Sequence, residues 1–336
     1  MTARLARWVA SLVRPPRAAP ARPTLVIVRH HRVYAPGERP LYRLGVSAPV
    51  LEAQLALFRA LGLAPLTVSE GLERLAEGRP GRWLALTFDD GWDDNVERAL
   101  PLLVAHGARA TFYLTAGLME ERAAPWWDVL THALERARVR RAALAWDGAS
   151  VALEPGTPAG RARALRALLP GLRVPAPEQA SRLARLRAAL GVSEPAPCGL
   201  ATWPRAARLA EAGMEIGAHT LTHPFLSLHA PEAQRAEIEG SVTLIERRLG
   251  VRPRGFAYPG GDHDAATVDA CARAGLDHAV TTRAGDNDPG RPRLELRRRG
   301  LSDGACLGPG GRFSRRLAHA ELDGAFDRLR GVEAAT

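Results

Sequence analysis

The feature that most constrains the fold is a repeated alternation of short apolar segments with longer segments whose apolar residues have helical spacing. Residues 24–28, 83–88 and 110–114 are apolar runs without polar alternation, and each precedes a helical pattern. Strands that are buried on both faces of a parallel sheet show this composition. About seven such units favour a closed barrel over a wide open sheet. The sequence therefore predicts an α/β fold, a distorted (β/α) barrel of about seven strands that is similar to a TIM barrel.

The alternation breaks once, and this break sets the predicted domain boundaries. Residues from about 120 to 201 are rich in Ala, Arg and Leu at helical spacing and contain several prolines, which predicts a mostly helical insertion. We expect one barrel domain over residues 24–320 that carries this insertion. A basic N-terminal tail at 1–23 and a C-terminal tail at 321–336 would flank it.

The charge of the chain has two interpretations. The 46 basic residues outnumber the 36 acidic ones, which could indicate an anionic partner, but all of them are arginine and they are spread along the chain. Nucleic-acid binding usually clusters basic residues among aromatic ones, so we expect no nucleic-acid partner. The sequence does not indicate an oligomeric state.

The N-terminal segment alternates Arg4, Arg7 and Arg14 with apolar residues. It could form an amphipathic helix on an anionic membrane surface, or it could be a frayed tail. Its apolar residues form no continuous run of the kind that a secretory signal has. We therefore expect a cytoplasmic protein at the inner face of the membrane.

Polar clusters follow four of the predicted strands, at the end where barrel enzymes place their active sites. They are His30-His31, Asp89-Asp90, His219 with His223, and the segment 258–261 that reads Tyr-Pro-Gly-Gly. Their shared position is the main evidence for a functional site.

Asp89 and Asp90 can serve one site only if the strand stops there, because neighbouring side chains of a strand point to opposite faces. Gly91 permits the required turn. The alternative is that one of the two acids caps the helix that follows.

His219 and His223 are candidate metal ligands, because neutral imidazole is the commonest ligand of zinc and similar cations. Pro224 disfavours a helix at His223, which predicts a tight turn. The alternative is a pair of hydrogen-bonding histidines in a loop. Two histidines with one carboxylate would leave coordination positions open for water and substrate, and would leave the second carboxylate free as a general base.

The segments TFDDG (87–91), HTLTH (219–223) and FAYPGG (256–261), in this order, resemble the polysaccharide deacetylase family of carbohydrate esterases. The resemblance covers most of the chain outside the insertion. It implies that Asp89 is the general base and that Asp90, His219 and His223 hold a divalent cation. Zinc is our first choice, with cobalt, nickel, iron or manganese as alternatives.

The third segment departs from the usual family pattern, because Ala257 stands where an arginine is common. Relatives with a Tyr-Pro segment tend to supply an arginine after the following strand. Arg298 is our candidate, and Arg297 and Arg299 are the alternatives.

Two further roles follow from the resemblance. Tyr258, Pro259 and Gly260 would bind substrate or stabilise the oxyanion, the last through its backbone N–H. Residues 24–33 resemble the N-terminal strand of the circularly permuted deacetylases that process bacterial surface polysaccharides. His31 would then be the catalytic acid and His30 would replace a tyrosine, unless both merely flank the end of a strand.

The expected activity is metal-dependent removal of an N-acetyl group from an amino sugar in a polysaccharide or glycolipid precursor. Trp92, Trp126 and Trp127 could stack on such a sugar, or could be core residues. The alternatives are an amidase or imidase that cleaves a non-carbohydrate C–N bond, and a relative that binds without catalysis.

Overall fold

The computed structural model describes residues 3–12, 22–146 and 148–327. Parts of both predicted tails, residues 1–2, 13–21 and 328–336, lie outside this range. The strands are β1 (Pro23–His30), β2 (Val33–Tyr34), β3 (Val46–Ser47), β4 (Pro65–Leu66), β5 (Gly81–Phe88), β6 (Thr111–Leu114), β7 (Ala142–Trp146), β8 (Ala149–Leu153), β9 (Glu215–Ala218), β10 (Gly255–Ala257), β11 (His278–Val280) and β12 (Arg299–Gly300).

The α-helices are α1 (Ala3–Leu12), α2 (Ala48–Ala60), α3 (Val68–Ala76), α4 (Leu100–Ala105), α5 (Ala116–Glu121), α6 (Trp126–Glu135), α7 (Pro158–Leu168), α8 (Ala176–Ala189), α9 (Trp203–Glu211), α10 (Pro231–Leu249), α11 (Ala265–Arg273), α12 (Asp303–Cys306) and α13 (Arg315–Leu322). A π-helical turn at Asn95–Ala99 leads directly into α4.

Seven parallel strands form a curled sheet in the order β11, β10, β9, β6, β5, β1 and β12. The two edges of this sheet are joined by one stretch of chain. Leu296 hydrogen-bonds to Ala279 and Thr281 at β11, and three residues later β12 begins and pairs with β1. The predicted distorted (β/α) barrel is confirmed.

The alternation of side chains along β1 separates two cores. Leu25 and Ile27 point into the barrel, where they meet residues from the other strands. Val26 and Val28 point outward into the larger core beneath the helices. Helix α3 contributes Leu72 to the inner cluster and covers the lower end of the barrel. The upper end, where the strands terminate, is left for the polar side chains.

The insertion has a hydrophobic core of its own. Leu130 of α6, Trp146 of β7, Leu168 of α7 and Leu186 of α8 are buried together. The prediction of a mostly helical insertion is confirmed, but it also contains an antiparallel hairpin of β7 and β8.

Helix α1 packs on the C-terminal part of the chain. The guanidinium of Arg7 pairs with the carboxylate of Glu321 at 2.9 Å, and Trp8 lies beside Gly308. Leu322 and Phe326, which fall in the predicted C-terminal tail, are buried. None of the helices in the described residues has the length and apolar character that crossing a bilayer requires. Contact of the N-terminal segment with a membrane stays a prediction.

Candidate active site

Three strands deliver the predicted site residues to the upper end of the barrel. His31 follows β1, Asp89 and Asp90 follow β5, and His219 follows β9. Since β1 pairs with β5, and β5 and β9 both pair with β6, these strand ends are close in space. Residues at the carboxyl ends of parallel strands were expected from the sequence to lie close together, and the positions of these strand ends agree with that expectation.

Asp90, His219 and His223 lie together and are buried. The Nε2 atoms of His219 and His223 are 3.4 Å and 3.6 Å from Oδ1 of Asp90. One ligand atom from each of the three residues can be chosen so that all lie within 4.8 Å of one another. This spacing suits three ligands of a single cation.

The orientation of two of these ligands is fixed by neighbouring groups. Nδ1 of His219 lies 2.5 Å from the carbonyl oxygen of Ala257 and donates to it, which leaves the Nε2 lone pair free. The indole N–H of Trp92 donates to Oδ2 of Asp90 at 2.8 Å. Such outer contacts hold metal ligands in position in known metal sites.

The remaining atoms of the cluster fit a cation. Oδ1 of Asp90 is buried and has no hydrogen-bond donor, and Nε2 of His219 is an acceptor because Nδ1 of the same ring donates to Ala257. Burial and the neighbouring His219 lower the pKa of His223 to about 3, which favours its neutral form. A buried carboxylate oxygen without a donor is costly unless a positive charge faces it. The three residues therefore fit a divalent metal ion.

The turn that carries the histidines has unusual backbone angles. Thr220 and His223 have φ angles of 67° and 61°, so the segment is a tight turn, as the proline after His223 predicted. The carboxylate of Glu237 in α10 accepts hydrogen bonds from the N–H groups of Leu221 and Thr222, at 2.8 and 2.9 Å. Helix α10 therefore holds the turn in the shape that brings both imidazoles to Asp90.

Asp89 is held by Arg298 in a buried bidentate pair. The two guanidinium nitrogens lie 2.7 and 2.8 Å from the two carboxylate oxygens, and Nε of Arg298 donates to the carbonyl of Thr281. Burial alone would raise the pKa of Asp89, but Arg298 and His31 outweigh it and hold that pKa well below its ordinary value. Asp89 is therefore ionised at neutral pH.

Of the three candidate arginines, only Arg298 reaches Asp89 among the described residues. Arg299 points outward and pairs with Asp286 and Asp327. The backbone of Arg297 hydrogen-bonds to Asn287. We had expected Arg298 to contribute to substrate or oxyanion binding, but its side chain is fully buried and both terminal nitrogens bind Asp89.

His31 and His30 have different surroundings. Nε2 of His31 lies 3.7 Å from Oδ2 of Asp89, and the side chain is 20% exposed. Burial lowers the pKa of His31. His30 points to the opposite side of β1, where its ring lies against Phe88 and its Nε2 has no partner. The structure brings His31 to the site and leaves His30 in the outer core.

The segment after β10 keeps its tyrosine ring in the core. The Tyr258 ring is buried against His263, and its hydroxyl donates to the carbonyl of Leu294. The side chain of Tyr258 is therefore not available to substrate, contrary to our expectation. Pro259 opens a 3-10 turn in which Gly260 has a φ angle of 61°, and a side chain at this glycine would meet the ring of Phe225 at 3.2 Å.

Two of the candidate tryptophans, Trp92 and Trp127, contact the metal ligands. Trp92 is fully buried, and Trp127 is 3% exposed with its ring edge-on to His223 at 4.5 Å. Neither can stack on a sugar in this conformation, so the core interpretation fits both. Trp126 is half-buried.

Two features near the site were missed from the sequence. A cleft of about 160 Å³ lies beside Trp127 and is lined by Tyr42 and Asp128 among others. Arg29 lies at the end of β1, on the inward side. The alternation along β1 was a usable signal for Arg29, because it has the same parity as Ile27.

Comparison with known proteins agrees with this geometry. The sequence model of the polysaccharide deacetylase family matches residues 76–151 and 176–279, more than half of the chain. An uncharacterized protein of Streptomyces coelicolor is 40% identical over 78 residues, which are 23% of this chain and 31% of that protein. The match therefore spans about a third of the length of that curated relative.

Solved structures with the same fold include three that the chain nearly covers. The Streptococcus pyogenes deacetylase PplD, solved in complex with acetate, has a TM-score of 0.58 at 18% identity, over 95% of this chain and 100% of that one. IcaB from Ammonifex degensii has a TM-score of 0.56 at 20% identity, over 89% and 97%. The BpsB deacetylase domain from Bordetella bronchiseptica has a TM-score of 0.52 at 16% identity, over 86% and 98%. At these identities the solved structures show a shared fold. The match to the family model covers more than half of the chain and includes Asp89, Asp90, His219 and His223. The chain therefore belongs to the polysaccharide deacetylase family.

Proposed function

We propose that this protein is a metal-dependent deacetylase that removes the N-acetyl group of an amino sugar in a polysaccharide or glycolipid precursor. One observation carries the proposal. The donor-free Oδ1 of Asp90 faces two imidazole nitrogens, while the adjacent Asp89 is ionised and stands outside this set of ligands. An ion site with a free carboxylate beside it is the arrangement that hydrolysis of an amide needs.

Asp90, His219 and His223 would hold the cation, with zinc as first choice because imidazole and carboxylate ligands suit it. When bound there, the cation would supply Lewis-acid chemistry, polarising the acyl carbonyl and making water more acidic. The backbone N–H of Gly260 would donate to the oxyanion as negative charge develops there.

Asp89 would accept the proton of the attacking water. Arg298 keeps the carboxylate ionised and fixes its plane through two hydrogen bonds. His31, 3.7 Å from the same carboxylate, would take that proton from Asp89 and pass it to the amine nitrogen. A C–O bond forms and the C–N bond breaks, so the products are acetate and a free amino sugar.

The first test is a screen of zinc-loaded protein on acetylated amino sugars, including oligosaccharide, nucleotide-linked and lipid-linked forms, with released acetate as the readout. A non-carbohydrate amide and a cyclic imide belong in the same screen. Turnover of these two alone would contradict the proposal.

The Asp89→Asn substitution separates the base from the ligands. We expect metal content to stay unchanged and acetate release to fall by about 10²–10⁴-fold, the usual loss of a general base. The matched control is Asp93→Asn, since Asp93 follows in the same segment but pairs with Arg205 near the surface. Full activity of Asp89→Asn would rule out its role as base, and full metal content of Asp90→Asn would rule out the ligand set.

A further inference from the structure

Arg29 occupies an inward position at the mouth of the barrel. It pairs in register with Thr87 of β5 on one side and with Gly300 of β12 on the other. Ile27, two residues earlier, lies in the inner core, so the side chain of Arg29 points to the same side one layer higher. Its neighbour in register on β5, Thr87, comes two residues before Asp89.

The opening above β12 accommodates the guanidinium. A side chain added at Gly300 would lie 3.7 Å from a terminal nitrogen of Arg29. This is an ordinary van der Waals distance, so the guanidinium of Arg29 lies beside Gly300 at the end of β12. Arg29 is partly buried and Gly300 is exposed, which puts the guanidinium at the mouth of the barrel.

Arg29 also lacks a partner, unlike its neighbours. Arg32 pairs with Asp94, and Arg298 pairs with Asp89 through both oxygens. Within the described residues, the side chain of Arg29 forms no hydrogen bond or ion pair. Burial and the like charge of Arg298 lower the pKa of Arg29 to about 10, so it is still a cation at neutral pH.

A partly buried guanidinium whose N–H groups have no acceptor is costly unless a ligand supplies one. The charges of Asp89 and Asp90 favour the cationic form of Arg29, but neither carboxylate forms a hydrogen bond or an ion pair with it. Both oxygens of Asp89 already accept from Arg298, and Oδ2 of Asp90 accepts from Trp92. The missing partner is therefore expected from outside the chain.

We propose that Arg29 is a specificity-determining residue that binds an anionic group of the substrate, a carboxylate or a phosphate on or next to the acetylated amino sugar. The inference rests on the proposed function, because it places the reacting amide beside Asp89. Guanidinium binds both kinds of anion through paired N–H groups. A neutral polymer of acetylated amino sugar would offer the N–H groups of Arg29 no anionic acceptor.

The test compares three substrates of the zinc-loaded full chain. They are a neutral tetrasaccharide of N-acetylglucosamine, a tetrasaccharide that alternates N-acetylglucosamine with glucuronic acid, and N-acetylglucosamine 1-phosphate. We expect Arg29→Met to lower kcat/KM on the preferred anionic substrate by about 10–100-fold, the value of a charge-assisted hydrogen bond, and on the neutral one by less than about threefold. Arg29→Lys should recover part of the loss, and Arg316→Gln, which removes an exposed charge on α13, is the matched control.

The two anionic substrates distinguish a carboxylate from a phosphate. An equal fractional loss on all three substrates would mean that Arg29 only supports the carboxylates of the site, and would overturn the inference. So would a wild-type preference for the neutral tetrasaccharide.

Calorimetric binding of the same three compounds gives a readout that does not depend on turnover. If no compound releases acetate, the proposed function fails. The inference on Arg29 is then supported if Arg29→Met weakens binding of an anionic compound by at least about tenfold while Arg316→Gln binds it as the wild type does. It is overturned if Arg29→Met also binds as the wild type does.

Discussion

The buried pair of Asp89 and Arg298 should dominate the response of this protein to substitution at its site. Both side chains are almost inaccessible, with 3% and 0% exposure, and both guanidinium contacts are shorter than 3 Å. Removing one partner of such a pair costs about 3–5 kcal/mol, because the other charge stays buried without compensation. We expect Arg298→Met to lower the free energy of unfolding by this amount at pH 7.5.

The double mutant supplies the decisive comparison. Asp89→Asn alone leaves the guanidinium buried without its counter-charge, and should cost about 2–4 kcal/mol. Asp89→Asn with Arg298→Met removes both charges together, so its loss should be smaller than the sum of the two single losses by about 2–3 kcal/mol.

The loss in Arg298→Met should also depend on pH. Arg298 holds the pKa of Asp89 below its value in the unfolded chain, so the stabilisation is present above the unfolded value and is lost as the pH falls through the lower folded value. In the variant the largest charge that opposes burial is gone, so the pKa of Asp89 rises relative to the wild type. The difference between wild type and variant should therefore shrink between pH 7.5 and pH 4.

Urea unfolding of the zinc-free protein, followed by circular dichroism, measures all four proteins of the cycle. Arg252→Met is the control, since Arg252 pairs with Glu246 at the surface, where such a pair contributes about 0–1 kcal/mol. Single losses that simply add within about 0.5 kcal/mol would refute the reasoning, because they would show that the two side chains do not interact.

Two further predictions concern residues around the metal ligands. Trp92→Phe removes the hydrogen bond to Asp90 and should weaken zinc binding by at least about tenfold in a chelator competition. The control Trp203→Phe loses a hydrogen bond to Glu120 and should bind zinc as the wild type does. Equal zinc affinities of Trp92→Phe and the wild type would show that the indole does not position Asp90. Burial raises the pKa of Asp128 to about 6, so ionisation of this carboxyl destabilises the fold as the pH rises from about 4 through 6. Asp128→Asn should therefore raise the free energy of unfolding by about 1–3 kcal/mol at pH 7.5, and should leave it unchanged near pH 4. No gain in urea unfolding at pH 7.5 would contradict this second prediction.

The barrel and the membership of the site could be predicted because both rest on local patterns. Residues 83–88 are apolar without alternation, and they form β5, buried in the sheet. The carboxyl ends of parallel strands meet at one end of a barrel, so residues placed after β5 and β9 were expected to meet. Arg298 was chosen by resemblance, and its position between two arginines that point elsewhere follows from alternation along the chain.

Other features depend on contacts that the sequence does not display. The hairpin of β7 and β8 was missed, because its exposed faces carry small residues and only Leu144, Trp146 and Leu153 are buried. The direction of the Tyr258 ring was missed for a related reason. Its hydroxyl is satisfied by Leu294, a residue distant in sequence that arrives only when the barrel closes.

The geometry of the metal ligands is the part that no spacing rule contains. Asp90, Thr220 and His223 have φ angles between 61° and 77°, a region that glycine usually occupies. Each such residue costs about 1–3 kcal/mol and persists only where surrounding contacts enforce it. Here Trp92 holds the carboxylate of Asp90, and Glu237 holds the turn between the histidines. The motifs specify which residues can bind a cation. The strained turns bring Asp90, His219 and His223 to face one point, and distant side chains hold these turns in place.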